Sequence, residues 1–292
     1  MKTTSTLVQT ATADNLVLSG FYGEGDKAKE AVIFIHGFGG DFYTHRFVHE
    51  IADALNSSQY AYVSAQTRGT GLFTELVDSA RATSNYKGSY YELLEEAYMD
   101  IDAWVEFLQR EGYQKIVLLG HSLGTIKSVR YMSEGKHKDV VSKLILLAPF
   151  DKNGYVENKT KGEWHEHVKI ARQMVDEGRG LEIIPSTFDD FPMTYQTYLS
   201  WYQETELNAI WDFYKPDYTS PILKDLHVPV LAVIGDKDDV VYLPTIGGSL
   251  DNTIKYLKNN IRSIDVQIVA DADHCYVGKE QQVVEVVLKF LE

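Results

Sequence analysis

Short apolar runs of strand type alternate with amphipathic stretches of helical spacing along most of this chain. Leu16 to Tyr22 alternates, and Ala31 to His36 is a continuous apolar run; the two are expected to pair. Further strands are predicted at Ala61 to Ala65, Ile116 to Leu119, Leu144 to Ala148, Val230 to Ile234 and Val266 to Val269. Helical spacing is clearest from Tyr91 to Arg110, where Leu93, Ala97, Ile101, Trp104 and Leu108 share a face. The opposite face is rich in Glu and Asp and reads as solvated. The last helix, Gln281 to Leu291, places Val284, Val287, Leu288 and Leu291 together. Such alternation predicts an α/β fold: a mostly parallel central sheet flanked by helices.

The alternation stops between Asp151 and His227. That stretch holds no strong strand pattern and carries Trp164, Phe188, Phe191, Tyr195, Tyr198, Trp201, Tyr202, Trp211, Phe213 and Tyr214. It reads as an inserted helical lid, 151–227, between two parts of one core, 1–150 and 228–292. No internal repeat or low-complexity segment is present.

Composition narrows the function. The 292 residues are 44% hydrophobic and 24% charged, as in ordinary soluble proteins. A formal charge of −14 disfavours nucleic acid and anionic membrane as partners. No apolar run approaches the length of about 18 residues that spans a bilayer. Cys275 is the sole cysteine, so no intrachain disulfide and no thiolate metal site can form. Met1 to Val8 lacks the apolar centre of a signal peptide. The expectation is a cytoplasmic protein, with a small molecule as its partner and no cofactor or metal. The oligomeric state is left open.

One pentapeptide carries the chemistry. Gly120-His121-Ser122-Leu123-Gly124 follows a strand and precedes Thr125 to Met132, whose apolar residues have helical spacing. A G-x-S-x-G in that setting is a nucleophile elbow, a strained turn that lifts the serine hydroxyl off the sheet. A helix N-terminus there favours a developing anion. The bland alternative is a helix-capping serine.

A serine needs a base, and the base an orienting acid. The strand ending at Ile234 runs into Gly235-Asp236-Lys237-Asp238-Asp239; Asp238 is favoured, with Asp236 and Asp239 as alternatives. The last strand leads to Ala270-Asp271-Ala272-Asp273-His274, so His274 is the candidate base. His36-Gly37-Phe38-Gly39-Gly40 closes an early strand, where a glycine-rich loop can aim an amide at the serine. The oxyanion donors would be the N–H groups of Phe38 and Leu123.

Taken together, these motifs in this order resemble the α/β-hydrolase superfamily over nearly the whole chain, with carboxylesterases of the feruloyl and cinnamoyl type among the similar members. The resemblance implies an α/β-hydrolase fold and a serine hydrolase that cleaves an ester through an acyl-enzyme. The aromatic insertion suggests an apolar or aromatic substrate portion. Thioesterase, amidase, carbon–carbon hydrolase or acyltransferase chemistry would use the same triad. A ligand receptor on this scaffold is the reading from another class. The long Asp238–His274 spacing departs from the pattern and predicts an enlarged loop or extra helix near Ser249 to Asn260.

Three features are set aside. His165 and His167 do not share a helix face, which disfavours a metal. Arg68-Gly69-Thr70-Gly71-Leu72 lacks nucleotide-loop spacing and reads as a plain loop at the sheet's carboxyl edge. Cys275 reads as a passive neighbour of His274.

Overall fold

The computed structural model describes residues 5–81, 83–242 and 247–292. Met1 to Thr4 of the N-terminal segment considered above lie outside them. The first strands are β1 (Thr6–Ala11), β2 (Val17–Gly23), β3 (Ala31–Ile35) and β4 (Ala61–Ala65). A hairpin follows, β5 (Thr74–Asp78) and β6 (Thr83–Lys87). The remaining strands are β7 (Ile116–His121), β8 (Val141–Leu147), β9 (Val230–Gly235) and β10 (Ile264–Val269).

Among the described residues, eight strands form one sheet in the order β1-β2-β4-β3-β7-β8-β9-β10. From β4 to β10 all neighbours are parallel, whereas β1, β2 and β4 pair antiparallel. The central strands β3, β4, β7 and β9 are buried at every position, which is why they read as unbroken apolar runs. Helices α1 (Arg46–Ser57) and α9 (Glu280–Leu291) pack on each other, as do α2 (Ala97–Arg110) and α3 (Leu123–Glu134), and together they cover the sheet. The mostly parallel, helix-flanked sheet expected from the sequence is the observed architecture.

Three local expectations are corrected. First, β2 does not pair with β3. It pairs with β4, Gly20 opposite Ala65 and Gly23 opposite Tyr62, because both edges of β3 are taken in parallel by β4 and β7. Second, α2 begins at Ala97, not Tyr91, after a single tight turn at Leu94–Glu96. The preceding Glu92 turns inward to meet the Lys127 ammonium at 2.5 Å, and the Leu94 N–H donates to Ser200 Oγ. Third, the acidic face of α2 is not simply solvated. Asp100 and Asp102 are buried, and Asp102 accepts from the Tyr131 hydroxyl at 2.6 Å.

Between β8 and β9 lie α4 (Lys152–Thr160), α5 (Trp164–Asp176), α6 (Tyr195–Tyr202) and the short α7 (Pro221–Lys224). Asp151 fastens the root of this segment. Its carboxylate caps α4 through the Gly154 N–H at 2.9 Å and also accepts from Phe213 N–H at 3.0 Å. The adjoining Lys152 ammonium donates to the carbonyls of Trp201 and Asn208. The extra helix expected near Ser249 is α8 (Leu250–Asn260), with Ser249 accepting from Asn252 N–H as its cap.

Candidate active site

Ser122 stands between β7 and α3 in a left-handed conformation, φ 54° and ψ −122°. A non-glycine residue there is strained and persists only where its surroundings over-determine it. Here they do: the Ser122 N–H donates to Leu147 O at 3.0 Å, and its carbonyl accepts from Thr125 N–H at 2.9 Å. The flanking glycines answer a packing need. A Cβ on Gly124 would lie 2.1 Å from the Ile35 carbonyl oxygen, so β3 and α3 approach this closely only over glycine.

The loop after β10 brings His274 to the serine. Its Nδ1 lies 2.9 Å and 3.1 Å from the two oxygens of Asp238, and its Nε2 lies 2.9 Å from Ser122 Oγ. A carboxylate can only accept, so Nδ1 carries the proton and Nε2 accepts from the serine hydroxyl. Asp238 is fully buried on the loop after β9, and the N–H groups of Val240 and Val241 also donate to it. His274 retains 18% side-chain exposure and Ser122 is half-buried, so the hydrogen-bond chain opens to solvent at the serine end. The competing aspartates go elsewhere. Asp236 accepts from the Asp271 N–H at 2.6 Å, and Asp239 is exposed.

The loop after β3 lies against the elbow. A Cβ on Gly37 would sit 2.8 Å from Ser122 Cβ and 3.3 Å from Leu123 N, so only glycine lets the loop come this near. His36 organises the loop from below. It is fully buried, its Nδ1–H donates to Gly37 O at 2.8 Å, and its Nε2 accepts from the hydroxyls of Thr70 and Thr67. Burial lowers its pKa to about 3, so the ring is neutral. Phe38 packs on Phe191 at 4.8 Å and on Trp201 at 5.5 Å, both from the segment between β8 and β9. Leu123 is the first residue of α3, so its N–H has no acceptor within the helix.

Other sequence candidates fall outside this site. His165 approaches Glu204 at 3.3 Å while the His167 ring stacks on Phe188 at 3.8 Å, so the two diverge. The thiol of Cys275 is pushed up by burial and by Asp273, away from the thiolate form. A groove of about 1010 Å³ runs along Asn153, Trp164, Tyr202 and Tyr218 and shares no residue with Ser122, Asp238 or His274.

The plain-loop reading of Arg68 to Leu72 is corrected. Arg68 is fully buried and its guanidinium meets Asp100 at 2.9 Å, Asp14 at 3.1 Å and Glu96 at 2.7 Å. The loop is tied to the one after β3 through Gly71 N–H to Gly40 O at 2.8 Å. Nothing in the local sequence announces this hub, because its partners lie up to 54 positions away.

Residues 1–292 match the family described as "Protein of unknown function (DUF1749)". The chain belongs to that family. No curated protein matches this DUF1749 member in sequence. Solved structures do. Est1E from Butyrivibrio proteoclasticus, with ferulic acid bound, is 18% identical, with 97% of this chain and 98% of that one covered and a TM-score of 0.65. GrgF, an alpha/beta hydrolase from Penicillium sp. sh18, is 16% identical over 99% and 98%, with a TM-score of 0.67. Mouse alpha/beta hydrolase domain-containing protein 10 is 15% identical over 98% of each chain, with a TM-score of 0.61. The DUF1749 chain therefore has the α/β-hydrolase fold, as its motifs implied.

Proposed function

We propose that this chain is a serine hydrolase that cleaves a carboxylic ester through an acyl-enzyme. One observation carries the reading: a continuous hydrogen-bond chain runs from buried Asp238 through His274 to Ser122 Oγ, on a strained and half-exposed serine. In the proposed reaction His274 Nε2 takes the hydroxyl proton as Ser122 Oγ attacks the acyl carbon. Asp238 holds the ring in its Nδ1–H tautomer and stabilises the imidazolium that forms. The N–H groups of Phe38 and Leu123 receive the oxyanion, each such donor being worth on the order of 10²–10³ in rate. The imidazolium then protonates the leaving alcohol. Water, deprotonated by the same histidine, releases the acid and restores Ser122.

An apolar or aromatic substrate portion is favoured by the rings gathered at the loop after β3, where Phe38 meets Phe191 and Trp201, and Phe191 in turn meets Tyr155 and Phe150. We read the segment between β8 and β9 as the lid over this site. That Est1E holds ferulic acid on the same fold supports beginning with aryl esters.

The test is covalent labelling with a fluorophosphonate, with the adduct located by mass. An adduct on Ser122 that vanishes in Ser122→Ala is expected. A folded wild type that stays unlabelled and turns over no ester would refute the reading. Matched oxygen ester, thioester and amide substrates then distinguish the bond cleaved.

A further inference from the structure

The residue before the serine has a partner that no motif accounts for. His121 is buried, and its Nε2 lies 2.8 Å from the main-chain carbonyl oxygen of His274. A carbonyl only accepts, so the His121 proton resides on Nε2 and the bond runs from the elbow to the histidine loop. The ring is confined on several sides, 4.9 Å from Phe47, 5.1 Å from the His274 ring, 5.8 Å from His45 and 6.3 Å from Tyr276.

The loop that carries His274 needs such a restraint. Asp271 and Tyr276 on either side of it are left-handed, with φ 55° and 57°. Its far side is held by the Tyr276 hydroxyl, which donates to Val233 O at 2.7 Å, and by Asp273, which accepts from the N–H groups of Cys275 and Val277. On the side of the elbow, the bond from His121 engages the His274 main chain itself.

We propose that His121 is a positioning residue: a strut of fixed length between the elbow and the histidine loop that sets the separation of Ser122 Oγ and His274 Nε2. The proposal rests on the serine-hydrolase reading above. His121 and Ser122 are adjacent in sequence, and the accepting carbonyl belongs to His274 itself. The bond therefore spans the same gap as the Oγ–Nε2 contact and fixes it from the main-chain side. Charge is consistent with this role. Burial, with the neighbouring histidines His274, His45 and His36, holds His121 uncharged, so no cation faces the His274 imidazolium as it forms.

The test uses His121→Leu, which fills the space without a donor, and His121→Gln, whose amide N–H can reach the same carbonyl. The full-length protein is used, with thermal melts to confirm folding. In His121→Leu the fluorophosphonate labelling rate and kcat on an activated ester should fall on the order of 10²-fold with KM little changed, as for a reacting pair moved by about 1 Å. His121→Gln should recover most of that loss. Wild-type rates in His121→Leu would overturn the proposal. So would a Gln variant as slow as the Leu variant, which would assign the effect to packing. Imidazole ¹⁵N NMR keeps this separate from the hydrolase reading. Even if wild type is never labelled, a sharp His274 Nδ1–H signal in wild type and in His121→Gln that broadens in His121→Leu supports the strut. An unchanged signal in His121→Leu refutes it.

Discussion

Two buried polar networks lie near the carboxyl edge of this sheet, and they differ in how they end. Around Arg68, the guanidinium is closed off by Asp100, Asp14 and Glu96, and Asp100 accepts from the Arg68 main-chain N–H as well. The chain that starts at Asp238 is equally buried at its root, yet it finishes on the half-exposed hydroxyl of Ser122, held by the His274 nitrogen. A network that reaches solvent only through carboxylates already paired with a buried cation holds structure. One that stops at an accessible hydroxyl has the form that the proposed chemistry needs. Buried charge alone therefore does not distinguish a site from a scaffold; the group that the network presents to solvent does.

The comparison is broken most directly by removing one carboxylate from each network. Asp238→Asn should lower kcat by about 10⁴-fold, roughly 5.5 kcal/mol on the barrier, through loss of the correct His274 tautomer. A thermal melt should place its stability close to wild type. Asp100→Ala should do the reverse, since Arg68 loses its fully buried partner carboxylate and its main-chain N–H loses an acceptor, and removing one partner of a buried pair costs up to about 3–5 kcal/mol. Urea unfolding measures this, while turnover per folded molecule stays near wild type. Equal effects of the two on both readouts would erase the distinction.

Smaller changes sharpen it. Gly37→Ala would press a methyl group against Ser122 Cβ, a site where overpacking costs about 1–3 kcal/mol. Slower labelling of Ser122 with an intact Arg68 network is expected, and the labelling rate constant measures it. The smallest effect concerns pH. Burial raises the Asp189 carboxyl to about 6 from its ordinary 3.8. The folded state then binds the extra proton between these values, so this group's contribution to stability is greatest at the acid end and is lost as pH rises through about 6. Asp189→Asn removes that dependence. Urea midpoints at pH 4.5 and pH 7.5 should show wild type losing ground to the variant as pH increases.

The parts legible in the sequence were those written into short spans. The elbow declares itself because glycines at positions 120 and 124 flank the serine within five residues, and Ser122, Asp238 and His274 follow runs of strand type. The long Asp238–His274 spacing, set against the pattern the chain resembles, left an enlarged loop or an extra helix open, and the structure has the helix α8, capped by Ser249. The hairpin β5–β6 leaves no mark in the apolar pattern, since its strands are short and mostly polar. The pairing of β2 is not legible locally, because sequence neighbours default to hairpins, whereas a crossover places β4 between β2 and β3. The acidic face of α2 reads as solvated because nothing local reveals that Arg68 and Tyr131 approach it.

By itself, then, the sequence determined the alternation of strands and helices, the turn at Ser122 and the order in which Asp238 and His274 follow it. These depend on sterics and periodicity over a few residues. Only the tertiary structure decided which aspartate faces His274, which acidic residues are buried, and that His121 reaches across to the loop that carries the histidine. Those outcomes depend on burial and on hydrogen-bond partners up to 153 positions apart, and no local pattern encodes them.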